Sequence, residues 1–206
     1  MKVSVSILKE LNNYKKAIEK VNNSNADYLH LDIMDGSFTE NSSFSIDNFR
    51  DININKKIDV HLMSKNLDKL IDEYTSLNPQ MITFHLEVGD TLNYIKKIKE
   101  KNIKVGLAIN PNTNLSDALK YLDLIDYLLI MSVHPGAGGQ PFIEDTIIKL
   151  KEAKELSNKY NFKIGVDGSI NDKTIEKVKD YVDIAVSGSY ITNSDNYNEK
   201  IDILKK

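Results

Sequence analysis

Residues 28–33 of the chain read YLHLDI, a short run in which apolar and polar side chains alternate. Successive side chains on a β-strand point to opposite faces, so His30 and Asp32 share one face while Leu31 and Ile33 share the other. Burying an imidazole and a carboxylate against apolar helices is costly. We therefore expect the polar pair to point into the interior of a closed sheet, with the apolar pair facing the helices.

Short apolar runs of this kind alternate with longer amphipathic ones along the whole chain. Several of the short runs are rich in β-branched residues, which is typical of buried parallel strands. The predicted strands are Val3–Ile7, Tyr28–Ile33, Ile58–Leu62, Met81–Leu86, Val105–Ile109, Tyr127–Val133, Lys163–Val166 and Ile184–Val186. The predicted helices include Leu67–Leu77, Leu92–Glu100, Leu115–Leu122, Ile143–Tyr160 and Asp172–Tyr181, with Asn114 and Asn171 as N-caps.

Eight strand–helix units predict an α/β fold, a single (β/α)₈ TIM barrel over residues 1–206, because consecutive parallel strands require right-handed crossovers. An open doubly wound sheet is the alternative. The second unit is the weakest, since residues 36–57 contain one helical pattern, Ile46–Ile52. No linker or compositional break divides the chain.

The composition argues against several classes of protein. A net charge of −3 provides no basic field for nucleic-acid binding. The absence of cysteine excludes disulfides, thiolate metal sites and cysteine nucleophiles. No stretch approaches the ~18 apolar residues that a membrane span needs, and the N-terminus lacks a signal-peptide pattern. We therefore expect a cytoplasmic protein without membrane or nucleic-acid partners.

The histidines favour one end of the predicted strands. All four lie near or just past a predicted carboxyl end: His30, His61, His85 and His134. In a (β/α)₈ barrel the active site lies at that end. Taken singly, a strand histidine is more often a packed core residue, and an Asp-Gly pair such as Asp35-Gly36 is more often a turn. Together, the pattern predicts that four side chains converge on a site suited to Zn²⁺, Mn²⁺, Fe²⁺ or Co²⁺: His30, Asp32, His61 and Asp167.

Glycines follow three consecutive predicted strands. They lie in residues 135–140 (PGAGGQ), in Gly168-Ser169 and in Gly188-Ser189. Glycine lets backbone N–H groups approach an anion, and the last two loops are the usual phosphate site of this fold. Because Arg50 is the only arginine, a cradle of amides and hydroxyls is an economical way to hold a phosphate. A glycine-rich loop by itself is weak evidence, since it is often only flexible.

These motifs together resemble the ribulose-phosphate 3-epimerase family. The resemblance extends from Ser6 to Ser189 and is carried by residues 30–38 (HLDIMDGSF), 59–63 (DVHLM), 131–142 (MSVHPGAGGQPF), 166–169 (VDGS) and 187–189 (SGS). It implies a homo-oligomeric enzyme that acts on a small phosphorylated ketose.

The resemblance also implies residue roles. One divalent metal per chain would be bound by His30, Asp32, His61 and Asp167, and Asp32 and Asp167 would be the catalytic acid–base pair. The implied substrate contacts are Ser6, Met34, His61, Met63, Met131, Gly136, Ala137, Gly138, Gly139, Asp167, Gly168, Ser169, Gly188 and Ser189.

The implied reaction interconverts D-ribulose 5-phosphate and D-xylulose 5-phosphate at C3. Two carboxylates would move the proton through a metal-stabilised enediolate, beneath uncharged methionines. The chain departs from the family pattern at Lys9-Glu10-Leu11, His134, Ala137 and Ser169. Asp167-Gly168-Ser169 and Gln140-Pro141-Phe142 also resemble allulose-6-phosphate 3-epimerases, so the choice between a five- and a six-carbon ketose stays open.

Three other functions compete with this interpretation. A Schiff-base aldolase needs a lysine at a strand's carboxyl end, whereas Lys104 and Lys163 lie at amino ends. A metal-dependent hydrolase needs an open metal position for water, and the phosphate loops instead favour a small phosphorylated sugar. A non-catalytic sugar-phosphate-binding barrel has no need of paired carboxylates.

Overall fold

The chain forms a closed barrel of parallel strands, as the alternating pattern predicts, and the computed structural model describes residues 1–206. The strands are β1 (Lys2–Ser6), β2 (Tyr28–Met34), β3 (Lys57–Met63), β4 (Met81–His85), β5 (Lys104–Ile109), β6 (Tyr127–Met131), β7 (Lys163–Asp167) and β8 (Ile184–Ser187). Each strand pairs with the next, and β8 pairs with β1. This closing pair rules out the open doubly wound sheet.

Helical segments connect the strands. The α-helices are α1 (Tyr14–Asn22), α2 (Leu67–Thr75), α3 (Thr91–Glu100), α4 (Thr146–Tyr160), α5 (Ile175–Val178), α6 (Ser189–Thr192) and α7 (Tyr197–Lys205). Narrower 3₁₀ helices occupy Leu8–Glu10, Ile46–Asn48, Leu86–Val88 and Leu115–Leu124. None of the helices combines the length and the apolar character needed to cross a bilayer.

Two predicted α-helices are 3₁₀ helices instead. The pattern at Ile46–Ile52 yields a single turn, Ile46–Asn48, and the pattern at Leu115–Leu122 yields a 3₁₀ helix over Leu115–Leu124. In the second case Leu115, Ala118 and Leu122 are buried as predicted. Apolar residues three or four apart predict which face is buried, but they do not distinguish the two helix types.

Other predicted boundaries were too long. The helix predicted at Asp172–Tyr181 is only α5, because the Asn171 side chain accepts hydrogen bonds from the backbone N–H groups of Lys173 and Thr174, at 2.9 and 3.1 Å, and forms a turn there. The predicted strand Tyr127–Val133 ends at Met131. The helix predicted from Ile143 begins at Thr146.

The two faces of the barrel strands bury different sets of side chains. Leu31 and Ile33 of β2 belong to the large core between the strands and the helices. A separate, smaller apolar cluster lies inside the barrel and includes Tyr28, Tyr127 and Leu129. His30 and Asp32 are buried on the inner face with that cluster, as predicted from YLHLDI.

The strand register arranges the inward-facing side chains in layers of four from alternate strands. One layer contains Ser6, His61, Ala108 and Asp167 from the odd-numbered strands. His30 lies in the layer just below, toward the amino ends, and Asp32 lies in the layer just above. The fold therefore brings all four predicted ligands into three consecutive layers near the carboxyl ends of the strands.

Candidate active site

Two imidazoles and two carboxylates meet inside the carboxyl end of the barrel. The ligand atoms of His30, Asp32, His61 and Asp167 all lie within 4.8 Å of one another. His30 Nε2 is 3.3 Å from Asp32 and 3.7 Å from Asp167. His61 Nδ1 is 3.4 Å from Asp32 and 3.6 Å from Asp167. The structure thus brings together the four side chains that the sequence predicted.

The donor atoms at the centre of this cluster fit a divalent metal ion. His30 Nε2 and His61 Nδ1 are buried and have no hydrogen-bond partner. Unpaired buried polar atoms are costly, and a cation held between these two nitrogens and the same pair of carboxylates would satisfy them. A mixed nitrogen and oxygen set of this kind suits the metals predicted from the sequence.

The His30 ring is oriented from below by Asp59, a residue to which the sequence patterns assigned no role. Asp59 is fully buried, and its Oδ2 lies 2.7 Å from His30 Nδ1. The same oxygen accepts a 2.9 Å hydrogen bond from the Ser4 hydroxyl. Because a carboxylate can only accept, it holds a proton on His30 Nδ1, so Nε2 is the nitrogen that can bind a metal ion once its own proton is released.

The His61 ring is oriented through a second histidine. His61 Nε2 lies 2.8 Å from His85 Nε2, and the two rings are stacked with centroids 5.0 Å apart. On its other side, His85 Nδ1 lies 3.3 Å from Glu87. Phe38 packs its ring against His85, with centroids 4.8 Å apart. His85 therefore lies one step behind the cluster, while the fourth histidine, His134, is exposed in the loop after β6.

The protonation of the cluster follows from its burial and charges. Burial alone would lower the pKa of His30, but the Asp59 and Asp32 carboxylates outweigh it and hold that pKa well above its usual value. Burial would raise the pKa of Asp32, yet His30 and His61 hold it far below the usual range. Asp32 is therefore ionised, and protons occupy positions where a metal ion would replace them.

The Asp32 carboxylate is also fixed by the first strand. The Ser6 hydroxyl donates a 2.6 Å hydrogen bond to Asp32 Oδ2, and Ser6 in turn accepts from the Leu8 N–H at 3.3 Å. Asp167 is half-buried and more open. The resemblance predicted Ser6 as a substrate contact, and the structure places it directly beside Asp32.

A cavity opens above the cluster and is bounded by the predicted glycine loops. Its lining includes Ser6, Asp32, Met63, Met131, Gly136, Ala137, Gly138, Gly139, Asp167, Gly168, Ser169, Gly188 and Ser189. Met34, by contrast, is buried at the end of β2 and does not line this cavity. His61 contributes to the cluster beneath the cavity and not to its wall.

The loops after β6 and β7 are tied to each other. The Ser132 hydroxyl donates to the carbonyl oxygens of Asp167 and Gly168, at 3.0 and 2.7 Å. Ser169 Oγ donates to the Gln140 carbonyl. A Cβ on Gly168, whose φ is +124°, would collide with Val133, so the close approach of the two loops requires glycine there.

Lys9 is a lining residue that the sequence patterns noted only as a departure. It lies in the 3₁₀ helix that follows β1, and a Cβ built on Gly138 would lie 3.1 Å from its Cε. Lys9 is the only lysine or arginine in the cavity wall. A composition count could not find it, because the chain has many exposed lysines and only the fold places this one beside the glycines.

An eight-stranded parallel barrel with acid–base side chains inside its carboxyl end defines the class of (β/α)₈-barrel enzymes. Within that class, the model of the "Ribulose-phosphate 3 epimerase family" matches residues 2–192, and the chain belongs to this family.

Curated relatives agree with this assignment, and a solved structure shares the fold. A ribulose-phosphate 3-epimerase of Helicobacter pylori (strain J99) is 37% identical over 203 residues, covering 94% of this chain and 92% of the relative. The enzyme of the same name from Escherichia coli K12 is 34% identical over 187 residues, covering 87% and 83%. The structure described as KGPDC from Streptococcus mutans is 13% identical with a TM-score of 0.71, covering 99% and 95%, and shares the fold.

Proposed function

We propose that the protein interconverts D-ribulose 5-phosphate and D-xylulose 5-phosphate by inverting C3 with two carboxylates and one bound divalent metal. The supporting observation is the central cluster. Two carboxylates touch the same two imidazole nitrogens, and those nitrogens lack any other partner. A site that only bound a sugar phosphate would not need this arrangement.

Asp32 and Asp167 are the proposed acid–base pair. They come from β2 and β7, which are separated by two other strands, and both line the floor of the cavity. Inverting a carbon requires that a proton leave one face and return to the other, which two carboxylates on different sides of the substrate accomplish without turning the intermediate. Ser6 holds Asp32 in place for this exchange.

His30, Asp32, His61 and Asp167 would hold the metal. A divalent ion there supplies Lewis-acid stabilisation to negative charge that develops on the substrate oxygens, and Zn²⁺, Fe²⁺, Mn²⁺ and Co²⁺ are the candidates. Met63 and Met131 would cover the reacting carbons with uncharged surface that excludes water. Met34 remains a proposed contact only if substrate binding moves it into the cavity.

The phosphate end of the substrate would lie against the glycine loops. Gly136–Gly139, Gly168-Ser169 and Gly188-Ser189 line that side of the cavity with backbone amides and hydroxyls. The short α6, which begins at Ser189, follows the last of these loops. The distance between the central cluster and this cradle sets the length of sugar that fits, so substrate length is the property to measure first.

One experiment tests the proposal. Activity on D-ribulose 5-phosphate and on D-allulose 6-phosphate is measured side by side, with metal content determined on the same sample and repeated after chelation. We expect activity on the pentose phosphate that is lost with the metal and returns when metal is added. Faster turnover of D-allulose 6-phosphate would make the hexose phosphate the proposed substrate in place of the pentose phosphate. Full activity in a metal-free sample would remove the metal from the mechanism.

The homo-oligomeric state and the cytoplasmic location stay predictions. Analytical ultracentrifugation of the purified protein and fractionation of the source cells would check them.

A further inference from the structure

We infer that His85 and Glu87 are positioning residues for His61, keeping its proton on Nε2 so that Nδ1 is bare toward the metal. The inference rests on the proposed metal-dependent function and adds two residues to it. Neither one belongs to the four-residue cluster.

The three side chains form a directed series. His61 Nε2 and His85 Nε2 are 2.8 Å apart, and His85 Nδ1 is 3.3 Å from Glu87 Oε2. His61 and His85 are fully buried, so water has no access to the contact between them. Two nitrogens at this distance share one proton, since two lone pairs or two N–H groups facing each other would repel.

Counting protons decides which nitrogen of each ring carries one. An imidazole that binds a metal is neutral and has one N–H, and a carboxylate can only accept. His85 Nδ1 lies within ion-pair distance of Glu87, although the contact does not meet hydrogen-bond geometry, and the negative charge of Glu87 favours the His85 proton on Nδ1, which leaves His85 Nε2 as an acceptor. That acceptor places the His61 proton on Nε2, and His61 Nδ1 is left bare among the carboxylates of Asp32 and Asp167.

Glu87 is itself held in a defined place. One of its oxygens accepts a 2.8 Å hydrogen bond from the Asn110 backbone N–H and a further one from the Thr113 hydroxyl, both in the loop after β5. The other oxygen is the one that faces His85. The β4 and β5 loops thus fix the carboxylate, and the carboxylate fixes the two rings.

The two histidines of the cluster are oriented by the same principle over different lengths. His30 meets Asp59 directly at 2.7 Å, whereas His61 reaches Glu87 through the intervening ring of His85. In both cases the ligand nitrogen facing the cluster has no partner in the protein. If His85 only filled space in the core, there would be no reason for a carboxylate to lie behind it. The parallel with the Asp59 contact therefore favours a positioning role for His85 and Glu87.

The sharpest test replaces Glu87 by glutamine. The amide keeps the shape and can still bond to the β5 loop, but its NH₂ group can donate to His85 Nδ1 and so reverse the order of protons. We expect Glu87→Gln to weaken Co²⁺ binding by about 10- to 100-fold, measured by competition with a chromophoric chelator. Glu100→Gln, an exposed change on α3, is the matched control and should bind as the wild type does.

A second pair of variants separates positioning from packing. In His85→Gln, the amide can accept from His61 and donate to Glu87, so cobalt affinity should stay within a few-fold of wild type. In His85→Leu the ring is removed without a replacement acceptor, and the loss should match that of Glu87→Gln. If His85→Leu fails to fold, the comparison between Glu87→Gln and Glu100→Gln still decides the question.

The tautomer itself is observable in ¹⁵N-histidine NMR spectra of the metal-free protein recorded at a pH above the raised pKa of His61, where the ring is neutral. We expect His61 protonated at Nε2 in the wild type and an increased Nδ1–H population in Glu87→Gln. Wild-type cobalt affinity in both Glu87→Gln and His85→Leu would overturn this inference while leaving the metal site intact. A wild-type protein that binds no cobalt, with Asp167→Asn behaving identically, would instead overturn the proposed function and this inference with it.

Discussion

Asp32 and Asp167 approach the same imidazole from strands that are not neighbours: their carboxylate oxygens lie 3.3 and 3.7 Å from His30 Nε2. Both also lie within 3.6 Å of His61 Nδ1. They differ in their surroundings, because Asp32 is buried and bonded to Ser6 while Asp167 is half-buried at the cavity. The two carboxylates lie beside the same histidines but in different surroundings, which suits two separate proton-transfer roles.

Replacing either carboxylate by its amide should therefore stop turnover. Asp32→Asn and Asp167→Asn keep the side-chain shape but remove the base, and we expect each to lower kcat by about 10²- to 10⁴-fold or more. Steady-state rates and incorporation of solvent deuterium at C3 would measure the effect. Asp117→Asn, at an exposed site, is the control. Full activity in either variant would exclude the two-base scheme.

Much of this site could be predicted from the sequence because alternation on a strand is a strong constraint. In YLHLDI, one choice of face places His30 and Asp32 together, and parallel strands bring their carboxyl ends to one end of the barrel. The glycine loops were predicted for the same reason, since each follows a strand. The positions of residues within or directly after strands are therefore fixed by the fold.

The sequence patterns missed residues whose roles depend on side-chain contacts with residues far away in the sequence. Glu87 and Lys9 lie in single-turn 3₁₀ helices, which are too short for a periodic pattern to fix the direction of a side chain, and their partners are distant in sequence. Asp59 lies on β3, two residues before His61, and its role appears only when the strand register sets it beside His30. The helices α1 and α7 were also not predicted individually, although buried Ala17, Ile18 and Val21 give α1 a clear apolar face.

Lys9 should strengthen substrate binding through the phosphate. It is the only lysine or arginine in the cavity wall, and its chain lies along the Gly138-Gly139 segment. One charge-assisted contact contributes about 1.5–3 kcal/mol, so Lys9→Met should raise KM by about tenfold or more with kcat little changed. Lys9→Arg should restore most of the binding. Lys15→Met, on the exposed face of α1, serves as the control, and an unchanged KM in Lys9→Met would remove Lys9 from the phosphate site.

Asp35 should stabilise the loop above the mouth in a pH-dependent way. Burial would raise its pKa, but hydrogen bonds from Ser37, Asn66 and Ser64 outweigh it and lower the pKa to about 2. Because the folded-state pKa lies below the unfolded value of 3.8, the stabilisation is present above that value and is lost as the pH falls through about 2.

The measurement for Asp35 is a pH series of unfolding free energies. Asp35→Asn should cost about 1 kcal/mol at neutral pH, a small value because the carboxylate is exposed to solvent. The difference from wild type should shrink between pH 4 and pH 2. A difference that stays constant over this range would show that the ionised form of Asp35 is not what bonds to the neighbouring loop.

Gly165 should be the least replaceable glycine of the barrel interior. The Tyr127 ring lies directly over its Cα, so an added Cβ would overlap the ring and its hydroxyl. Both residues are buried and lie on the paired strands β6 and β7. Gly165→Ala should destabilise the protein by about 1–3 kcal/mol or more, measured by urea unfolding.

The partner substitution makes this prediction specific. The Tyr127 hydroxyl is buried without a hydrogen-bond partner, so Tyr127→Phe alone should be neutral or slightly stabilising. Tyr127→Leu creates space and should recover part of the stability lost in Gly165→Ala, so that the two changes are not additive. Additive losses in the double variant would mean that the alanine methyl group is opposed by the β-strand backbone and not by the tyrosine ring.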